Sequence, residues 1–271
     1  MEYFKGFPKD KARKLEYILH DIDDTITENG RLLPNAFQAL WDLHQEGFKV
    51  IPVTGRPAGW CDLIIRQWPV DAVVGENGAF CFYLQNGHLQ KLIHPHVCEN
   101  VKEQLKQIQD ACLREVPGCR VAKDQFSRLY DLAIDFNEEE PRLGFEAAYK
   151  IQSLCESFGA EAKVSSIHVN VWFGKYDKLS MTKILFEQVY QEKHIKEKSL
   201  FFGDSPNDEP MFEFFTNSCA VANIKPFLDK LEHKPAYMAE KVNAYGFSES
   251  VRQLLSLRRQ SLKRIPRDKP F

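Results

Sequence analysis

The stretch LEYILHDIDDTIT, residues 15–27, joins an apolar run to a cluster of acids. Leu15–His20 is rich in residues that favour strands, and it predicts a buried β-strand. Asp21, Asp23 and Asp24 follow directly. Because Asp is a favoured turn residue, a plain turn at the end of the strand is one interpretation. A metal-assisted catalytic site is the other, because carboxylates bind hard cations.

The composition is ordinary for a globular protein. Of 271 residues, 44% are apolar and 27% charged, and the formal net charge is −2. These values give no indication of a nucleic-acid partner or a membrane surface. Neither a secretory signal nor an apolar run of ~18 residues is evident, and the seven cysteines form no C-x-x-C pair. We therefore expect a cytoplasmic protein with reduced thiols, and we expect the basic segment 257–269 to be a solvated tail.

Strands and helices alternate in the N-terminal part of the chain. After the first strand, an amphipathic helix is predicted at Leu33–His44, a strand at 48–53, a helix at Gly59–Trp68 and a strand at Asp71–Val74. Such alternation predicts an α/β fold with a doubly wound, mostly parallel sheet that is covered on both faces.

The pattern changes between residues 83 and 173. This segment contains a predicted hairpin with an Asn86-Gly87 turn, two helices near Val101–Val116 and Leu143–Phe158, and strands within 128–136 and 166–173. The alternation then resumes, with a helix at Lys178–Gln191 and strands at 199–202 and 218–222. We therefore predict an inserted α+β domain at 83–173 and a core formed by 1–82 and 174–271.

Polar groups also follow other predicted strands. Thr54-Gly55-Arg56 ends the second strand, Asp204 begins the run DSPND, and Lys178 begins a helix just before that strand. Each has a plain interpretation, as a strand exit, a helix cap or a solvated lysine, and the Asp-x-Asp-x-Thr pattern alone is weak. In this order, however, they favour a single site, because the carboxyl ends of parallel strands meet at one edge of a sheet.

Four segments, HDIDDT, VTGR, Lys178 and FFGDSPND, resemble the four motifs of the haloacid dehalogenase-like (HAD) phosphohydrolases. The resemblance extends over the whole chain. It implies a Rossmann-like core with an inserted cap of the C2 type, and the content of the insert resembles the C2B caps of subfamily IIB, the Cof-type sugar phosphatases. One departure is Asp24, where sugar phosphatases usually have glycine.

The resemblance implies a catalytic role for each motif. Asp21 would attack phosphorus and form an aspartyl phosphate, and Asp23 would act as general acid and then as general base. Thr54, the Gly55 amide and Lys178 would hold the phosphoryl oxygens.

The same resemblance implies a Mg²⁺ site. The ligands would be the carboxylates of Asp21 and Asp204 and the backbone carbonyl of Asp23, while Asn207 and Asp208 would orient Lys178 and a metal-bound water. The charges agree with this assignment, because a bare cluster of carboxylates would repel a phosphate dianion.

Residues that contact the substrate are harder to identify. In relatives, the segment equivalent to Glu76-Asn77-Gly78 often faces the substrate, but a turn is an equally good interpretation. Arg56 is a candidate for contact with a phosphate or a sugar, and Trp60 either stacks on a sugar or begins the helix core. The candidates in the insert are Arg128, His168 and Asn170, although half-exposed sheet faces are polar in any case.

Together these observations predict a Mg²⁺-dependent phosphatase that acts on a small phosphorylated metabolite, in particular a sugar phosphate. A phosphomutase, which returns the phosphoryl group to the substrate, is the alternative among enzymes. A catalytically inactive binding protein is a third hypothesis, but such a protein should have lost a nucleophile or ligand, and Asp21, Asp23, Lys178 and Asp204 are all present. The sequence does not indicate an oligomeric state.

Overall fold

The computed structural model describes residues 1–98 and 100–262. In chain order, its strands are β1 (Glu2–Tyr3), β2 (Tyr17–His20), β3 (Thr27–Glu28), β4 (Arg31–Leu32), β5 (Lys49–Pro52), β6 (Ala72–Gly75), β7 (Phe80–Gln85), β8 (His88–Ile93), β9 (Arg120–Val121), β10 (Leu132–Asp135), β11 (Glu161–Val164), β12 (His168–Trp172), β13 (Ser199–Gly203), β14 (Ser218–Ala220) and β15 (Tyr237–Met238). Its α-helices are α1 (Lys9–Lys14), α2 (Pro34–Gln45), α3 (Ala58–Gln67), α4 (Lys102–Glu115), α5 (Gly144–Ser157), α6 (Lys178–Leu185), α7 (Ile195–Lys198), α8 (Glu209–Phe214) and α9 (Asn243–Leu262).

The central sheet confirms the predicted α/β class. Six strands pair in the order β1-β15-β14-β13-β2-β5, with every neighbouring pair parallel. A single parallel bridge from Val53 to Val74 connects β5 to β6. Successive residues of β2 enter opposite hydrophobic layers, with Ile18 in the layer that contains α2 and α9 residues and Leu19 in the layer that contains α6 and α8 residues. A strand that is buried on both faces has a continuous apolar sequence, and for this reason β2 was predictable from the sequence.

The insert contains a second, separate sheet. Strands β11, β12, β10 and β9 pair antiparallel in that order. Val169 and Val171 pack with residues of α4 and α5 in a core of their own. Because side chains alternate along a strand, His168 and Asn170 lie on the opposite face, towards the carboxyl edge of the central sheet. We refer to the unit built on this second sheet as the cap.

The predicted boundary at residue 83 falls in the middle of β7. Strands β7 and β8 form the predicted hairpin, but β7 pairs with β6 and neither strand joins the cap sheet. The hairpin therefore extends the core. We propose a cap at 94–173, later than the predicted start at 83, with the core formed by 1–93 and the described residues from 174 onwards.

Two local predictions of secondary structure need correction. The strand predicted within 128–136 begins only at Leu132, because the amides of Leu129 and Tyr130 donate hydrogen bonds to Glu76 instead of pairing in a sheet. The helix predicted to end at Gln191 leaves α-geometry after Leu185 and continues as a π-helical turn.

The basic segment 257–269 is not a solvated tail at its start. Arg258 lies in α9 and donates a hydrogen bond to the carbonyl of Leu15, and Arg259 pairs with Glu46. Residues 263–269 lie outside the described part of the chain. No helix within residues 1–98 and 100–262 combines the length and the hydropathy needed to cross a membrane.

Candidate active site

The predicted catalytic motifs lie at the ends of three adjacent strands. Asp21 follows β2, Thr54 comes shortly after β5, and Asp204 follows β13, and these strands are neighbours in the order β13-β2-β5. Lys178 is the first residue of α6, where Asp177 caps the helix by accepting a hydrogen bond from the Ser180 amide. This capping contact of Asp177 fixes the start of the helix and thus the position of Lys178.

Lys178 connects two of the carboxylates. Its Nζ lies 3.0 Å from Asp21 Oδ2 and 2.8 Å from Asp208 Oδ1, and all three side chains are buried. Burial alone would lower the pKa of Lys178, but the attraction of Asp208 and Asp21 outweighs it and raises the pKa above the ordinary value. Asp208 uses its other oxygen to accept the backbone N–H of Asp204 at 3.1 Å. These contacts support the predicted role of Asp208 in orienting Lys178.

The residues that could hold a cation form one buried cluster. Carboxylate oxygens of Asp21, Asp204 and Asp208 lie within 4.8 Å of one another. Asp204 accepts hydrogen bonds only from neutral groups in the described contacts, the Thr25 hydroxyl at 3.3 Å and the Asn223 amide at 3.2 Å.

This cluster lacks sufficient positive charge from the protein itself. Burial, together with the neighbouring carboxylates, raises the pKa of Asp204 well above its ordinary value. Burial is also the largest cause that raises the pKa of Asp21 to about 7, against the opposing effect of Lys178. Three buried carboxylates with one lysine and hard oxygen donors fit a divalent cation.

Asp23 is held by Arg56. The guanidinium donates from Nε to Asp23 Oδ2 and from Nη2 to Asp23 Oδ1, both at 2.8 Å. Its remaining contacts go to the cap, from Nη1 to Asp124 at 3.2 Å and from Nη2 to Glu138 at 3.1 Å. Arg56 was predicted to contact a phosphate or a sugar, but here its donors are directed at carboxylates. It joins the predicted acid/base to the cap.

Two further side chains support this ion network. The Trp60 ring lies 4.3 Å from the Arg56 guanidinium carbon, so Trp60 stacks on Arg56 and does not begin the helix core. In the cap, His168 Nε2 lies 2.8 Å from Glu138 Oε2. Burial alone would raise the pKa of Glu138, but the hydrogen bond with His168 and the attraction of Arg56 hold it at about 2.

Glu76 binds the cap loop and not an open cavity. One carboxylate oxygen accepts the amides of Ala58 and Leu129, and the other accepts the amide of Tyr130 at 2.7 Å. The side chain is fully buried, and burial is the largest cause that raises its pKa to about 7. Its predicted contact with substrate is therefore unsupported, because backbone groups occupy both oxygens. Arg128 has a similar function, since it pairs with Asp131 and donates to the Gly55 carbonyl.

The loop that follows β5 is packed closely between the core and the cap. The Thr54 hydroxyl accepts the Arg56 amide at 3.1 Å. A Cβ atom on Gly55 would lie only 3.0 Å from Asn170 Nδ2 and 3.1 Å from the Asn77 amide group. Glycine at this position therefore allows the core and the cap to approach each other. Gly203 has a comparable function, because a side chain there would collide with the Asp208 carboxylate.

The cap closes over the site. A cavity of about 10 Å³ remains, close to the volume that one water needs. A cleft of about 320 Å³ adjoins it, between the β3–β4 turn and the cap, and both spaces contact Asp23 and Ile167. The inner cavity is lined by Asp21, Asp23, Gly55, Arg56, Ser165, Ser166, Ile167, His168, Asn170, Ser205 and Asn207.

Asn207 lies at this cavity but does not contact Lys178. Its Oδ1 accepts a hydrogen bond from the Ser205 hydroxyl at 2.6 Å. The sequence did not single out Thr25 or Asn223 at the site, although both donate to Asp204. Thr25 completes the Asp-x-Asp-x-Thr pattern, and Asn223 comes just after a predicted parallel strand, so position at a strand end was the signal for Asn223.

The departure at Asp24 has a structural explanation. Its φ of 55° lies in the left-handed region, where glycine is favoured and Asp is tolerated. Its carbonyl accepts a hydrogen bond from the Asn223 side chain at 2.9 Å. Burial is the largest cause that raises the pKa of Asp24.

A doubly wound core with a buried acidic cluster and one lysine at its carboxyl edge, covered by a second sheet, is the arrangement of a capped α/β hydrolase. The sequence matches the family model of the haloacid dehalogenase-like hydrolases over residues 18–194 and, in a second match, 146–231. The chain therefore belongs to that family. Among curated proteins, no sequence matches this chain.

Solved structures are similar to nearly the whole chain. A protein of Thermoplasma acidophilum is 18% identical, with a TM-score of 0.68 over 90% of this chain and 99% of its own. A HAD subclass IIB sugar phosphatase is 15% identical, with a TM-score of 0.63 over 89% of this chain and 99% of its own. The sucrose-phosphatase of Synechocystis sp. PCC6803, solved with sucrose and phosphate, is 16% identical, with a TM-score of 0.59 over 89% and 98%. These similarities show a shared fold.

Proposed function

We propose that this protein is a cytoplasmic, Mg²⁺-dependent phosphohydrolase that acts on small phosphorylated metabolites, in particular sugar phosphates. The observation that carries the proposal is the buried cluster in which Lys178 contacts Asp21 and Asp208 beside Asp204. Membership of the haloacid dehalogenase-like hydrolases supports it, as does the fold shared with a sugar phosphatase and a sucrose-phosphatase.

In this proposal, Asp21 is the nucleophile. A carboxylate oxygen of Asp21 forms a bond to phosphorus while the bond from phosphorus to the ester oxygen breaks. Asp23 gives a proton to the departing alkoxide, and its carboxylate then removes a proton from the water that cleaves the aspartyl phosphate. Asp21 is regenerated and inorganic phosphate leaves.

The other residues hold charge and geometry. Lys178, the Thr54 hydroxyl and the Gly55 amide would bind the phosphoryl oxygens as charge shifts among them. The carboxylates of Asp21 and Asp204 and the carbonyl of Asp23 would hold Mg²⁺, which when bound offsets part of the negative charge of the carboxylates and of the phosphate dianion.

The cap must open for this chemistry. A phosphate ester cannot fit in a cavity of about 10 Å³, so the substrate needs a wider site. Opening would separate Arg56 from Asp124 and Glu138, which belong to the cap. Both oxygens of Asp23 accept hydrogen bonds from Arg56, so Asp23 can carry a proton to the substrate only after Arg56 shifts. Closure around a bound substrate would then exclude water.

Release of inorganic phosphate from several dozen phosphorylated metabolites, with and without Mg²⁺, tests the proposed function. We expect phosphate release from a subset of sugar phosphates and none after chelation. Formation of an isomer in place of phosphate would identify a phosphomutase instead. No turnover of any ester at any Mg²⁺ concentration would contradict the proposal.

The roles of Asp23 and Asp204 can be separated by substitution. Asp23→Asn should lower turnover by roughly 10²-fold or more, because the amide cannot transfer the proton, and leave Mg²⁺ affinity nearly unchanged. Asp204→Asn removes a charged ligand and should raise the Mg²⁺ concentration for half-maximal activity by at least about tenfold. Calorimetric Mg²⁺ titrations beside steady-state rates measure both effects.

Asp10→Asn serves as the control for this comparison, because its side chain is 88% exposed and lies outside the site. Equal weakening of Mg²⁺ binding by Asp23→Asn and Asp204→Asn would show that Asp23 binds the metal through its side chain. The general acid would then have to be another residue.

A further inference from the structure

Two buried amides at the boundary between the core and the cap lack hydrogen-bond partners. Asn170 Oδ1 and Asn77 Nδ2 have none among the described residues, and each side chain is 3% exposed. Buried polar atoms are hydrogen-bonded in the large majority of cases, because leaving them unpaired is unfavourable. Two such atoms beside the catalytic cavity therefore indicate a ligand that supplies the missing partners.

The fold holds both amides at the Gly55 loop. Asn170 lies on the cavity face of β12, between the small Ala133 of β10 and the exposed Lys163 of β11. Asn77 has a φ of 54°, and its backbone amide donates to the Thr54 carbonyl at 3.1 Å. Atoms of both side chains lie 3.0–3.1 Å from the position of a Cβ atom on Gly55. The amides thus flank the same point, one from the cap and one from the core.

The other cap side chains around the cavity already have partners. His168 contacts Glu138, and the Ser165 hydroxyl bonds to the backbone of His168. Ile167 is apolar. Of the described cap side chains that line the cavity, Asn170 is the one that has a buried hydrogen-bonding atom without a partner.

The two free atoms are complementary in kind, since Asn170 Oδ1 accepts and Asn77 Nδ2 donates. A phosphate dianion offers only acceptors, so it can satisfy Asn77 but not Asn170. A hydroxyl group can satisfy both, because it donates one hydrogen bond and accepts others. We propose that Asn170 and Asn77 determine specificity by binding a hydroxyl group on the leaving alcohol, on the carbon next to the ester carbon. This inference rests on the proposed function.

An experiment on binding tests the inference apart from turnover. The probes are 3-hydroxypropylphosphonate and propylphosphonate, in which a methylene replaces the ester oxygen and only the first carries the hydroxyl. Their dissociation constants would be measured by calorimetry with saturating Mg²⁺ for the wild type, Asn170→Ala, Asn77→Ala and the control Gln104→Ala. Gln104 is an exposed amide on the cap helix α4.

We expect the wild type and Gln104→Ala to bind the hydroxylated phosphonate at least about tenfold more tightly, since a site built for a hydroxyl group discriminates against its absence. Asn170→Ala and Asn77→Ala should each lose most of this preference. The affinity of Asn170→Ala for propylphosphonate should also remain within about threefold of the wild-type affinity.

Equal affinities of the wild type for the two phosphonates, or binding of neither, would overturn the inference, whichever variants fold. An equal loss of affinity for both phosphonates in Asn170→Ala would also overturn the inference. That result would mean that Asn170 contacts the phosphoryl group, as it would if the amide were turned by 180° so that its nitrogen took the place of its oxygen. If the wild type shows the preference but hydrolyses no phosphate ester, the proposed function fails and the hydroxyl site stands. If esters are hydrolysed but the two phosphonates bind equally, the hydroxyl site fails and the proposed function stands.

Discussion

Replacing Asp21 by asparagine should lower turnover by at least about 10⁴-fold at saturating Mg²⁺. An amide has the size of the carboxylate, but it cannot form the aspartyl phosphate. The fold should persist, because the amide oxygen can still accept the Ile22 N–H, which donates to Asp21 at 2.8 Å. Steady-state rates on the best substrate of the screen give the turnover. Acid quenching followed by mass spectrometry should detect one added phosphoryl group on the wild type and none on Asp21→Asn.

The same substitution should stabilise the metal-free protein at neutral pH. Burial raises the pKa of Asp21 to about 7, above its unfolded value of 3.8. The folded state therefore binds more protons between these values, and its stability falls as the pH rises through that window. Asp21→Asn has no carboxylate to destabilise the folded state at high pH. Its midpoint temperature of thermal unfolding in chelator should therefore be higher than that of the wild type at pH 7.5 and equal to it near pH 4. Turnover of Asp21→Asn above about 1% of the wild-type value, or an added phosphoryl group on Asp21→Asn in the mass spectrum, would contradict the role of Asp21 as nucleophile.

The sequence predicted the parts of the site that depend on strand ends. Strands β2 and β13 are buried on both faces, so they read as unbroken apolar runs, and the polar residue that ends each run marks the carboxyl edge. Parallel pairing then brings Asp21 and Asp204 together without any knowledge of the loops. Lys178 followed from the resemblance to the family, and its contact with Asp21 supports that assignment.

Contacts across the cap were not predictable in the same way. Arg56 and Glu76 are polar residues at strand ends, and periodicity does not distinguish a side chain that faces a ligand from one that faces another part of the chain. Their partners, Glu138 and the amides of Leu129 and Tyr130, are 53 to 82 residues distant along the sequence. The proposed start of the cap differs from the predicted one for a related reason, since a hairpin pattern predicts the β7–β8 pair but not the strand that it joins.

Lys178→Met should produce the largest combined loss of activity and stability. The methionine keeps much of the apolar stem but removes the only cation that contacts both Asp21 and Asp208 among the described residues. Removal of one partner from a buried ion pair leaves uncompensated charge, which typically destabilises a protein by about 3–5 kcal/mol. Denaturant unfolding in chelator should show a loss of that size. Turnover should fall by at least about 10³-fold, because the phosphoryl oxygens lose a preorganised positive charge.

Added Mg²⁺ separates the two effects of this substitution. A divalent cation bound by Asp21 and Asp204 would compensate part of the buried negative charge, so saturating Mg²⁺ should restore some of the lost stability. It should not restore turnover, because the metal cannot take the position of the ammonium group against Asp208, whose other oxygen already accepts the Asp204 amide. Lys183→Met is the matched control, because Lys183 lies exposed on the same helix and should change turnover by less than twofold. Turnover of Lys178→Met within tenfold of the wild type would mean that this buried ion pair serves the fold alone, and that the phosphoryl group is bound by the metal and the Gly55 loop without it.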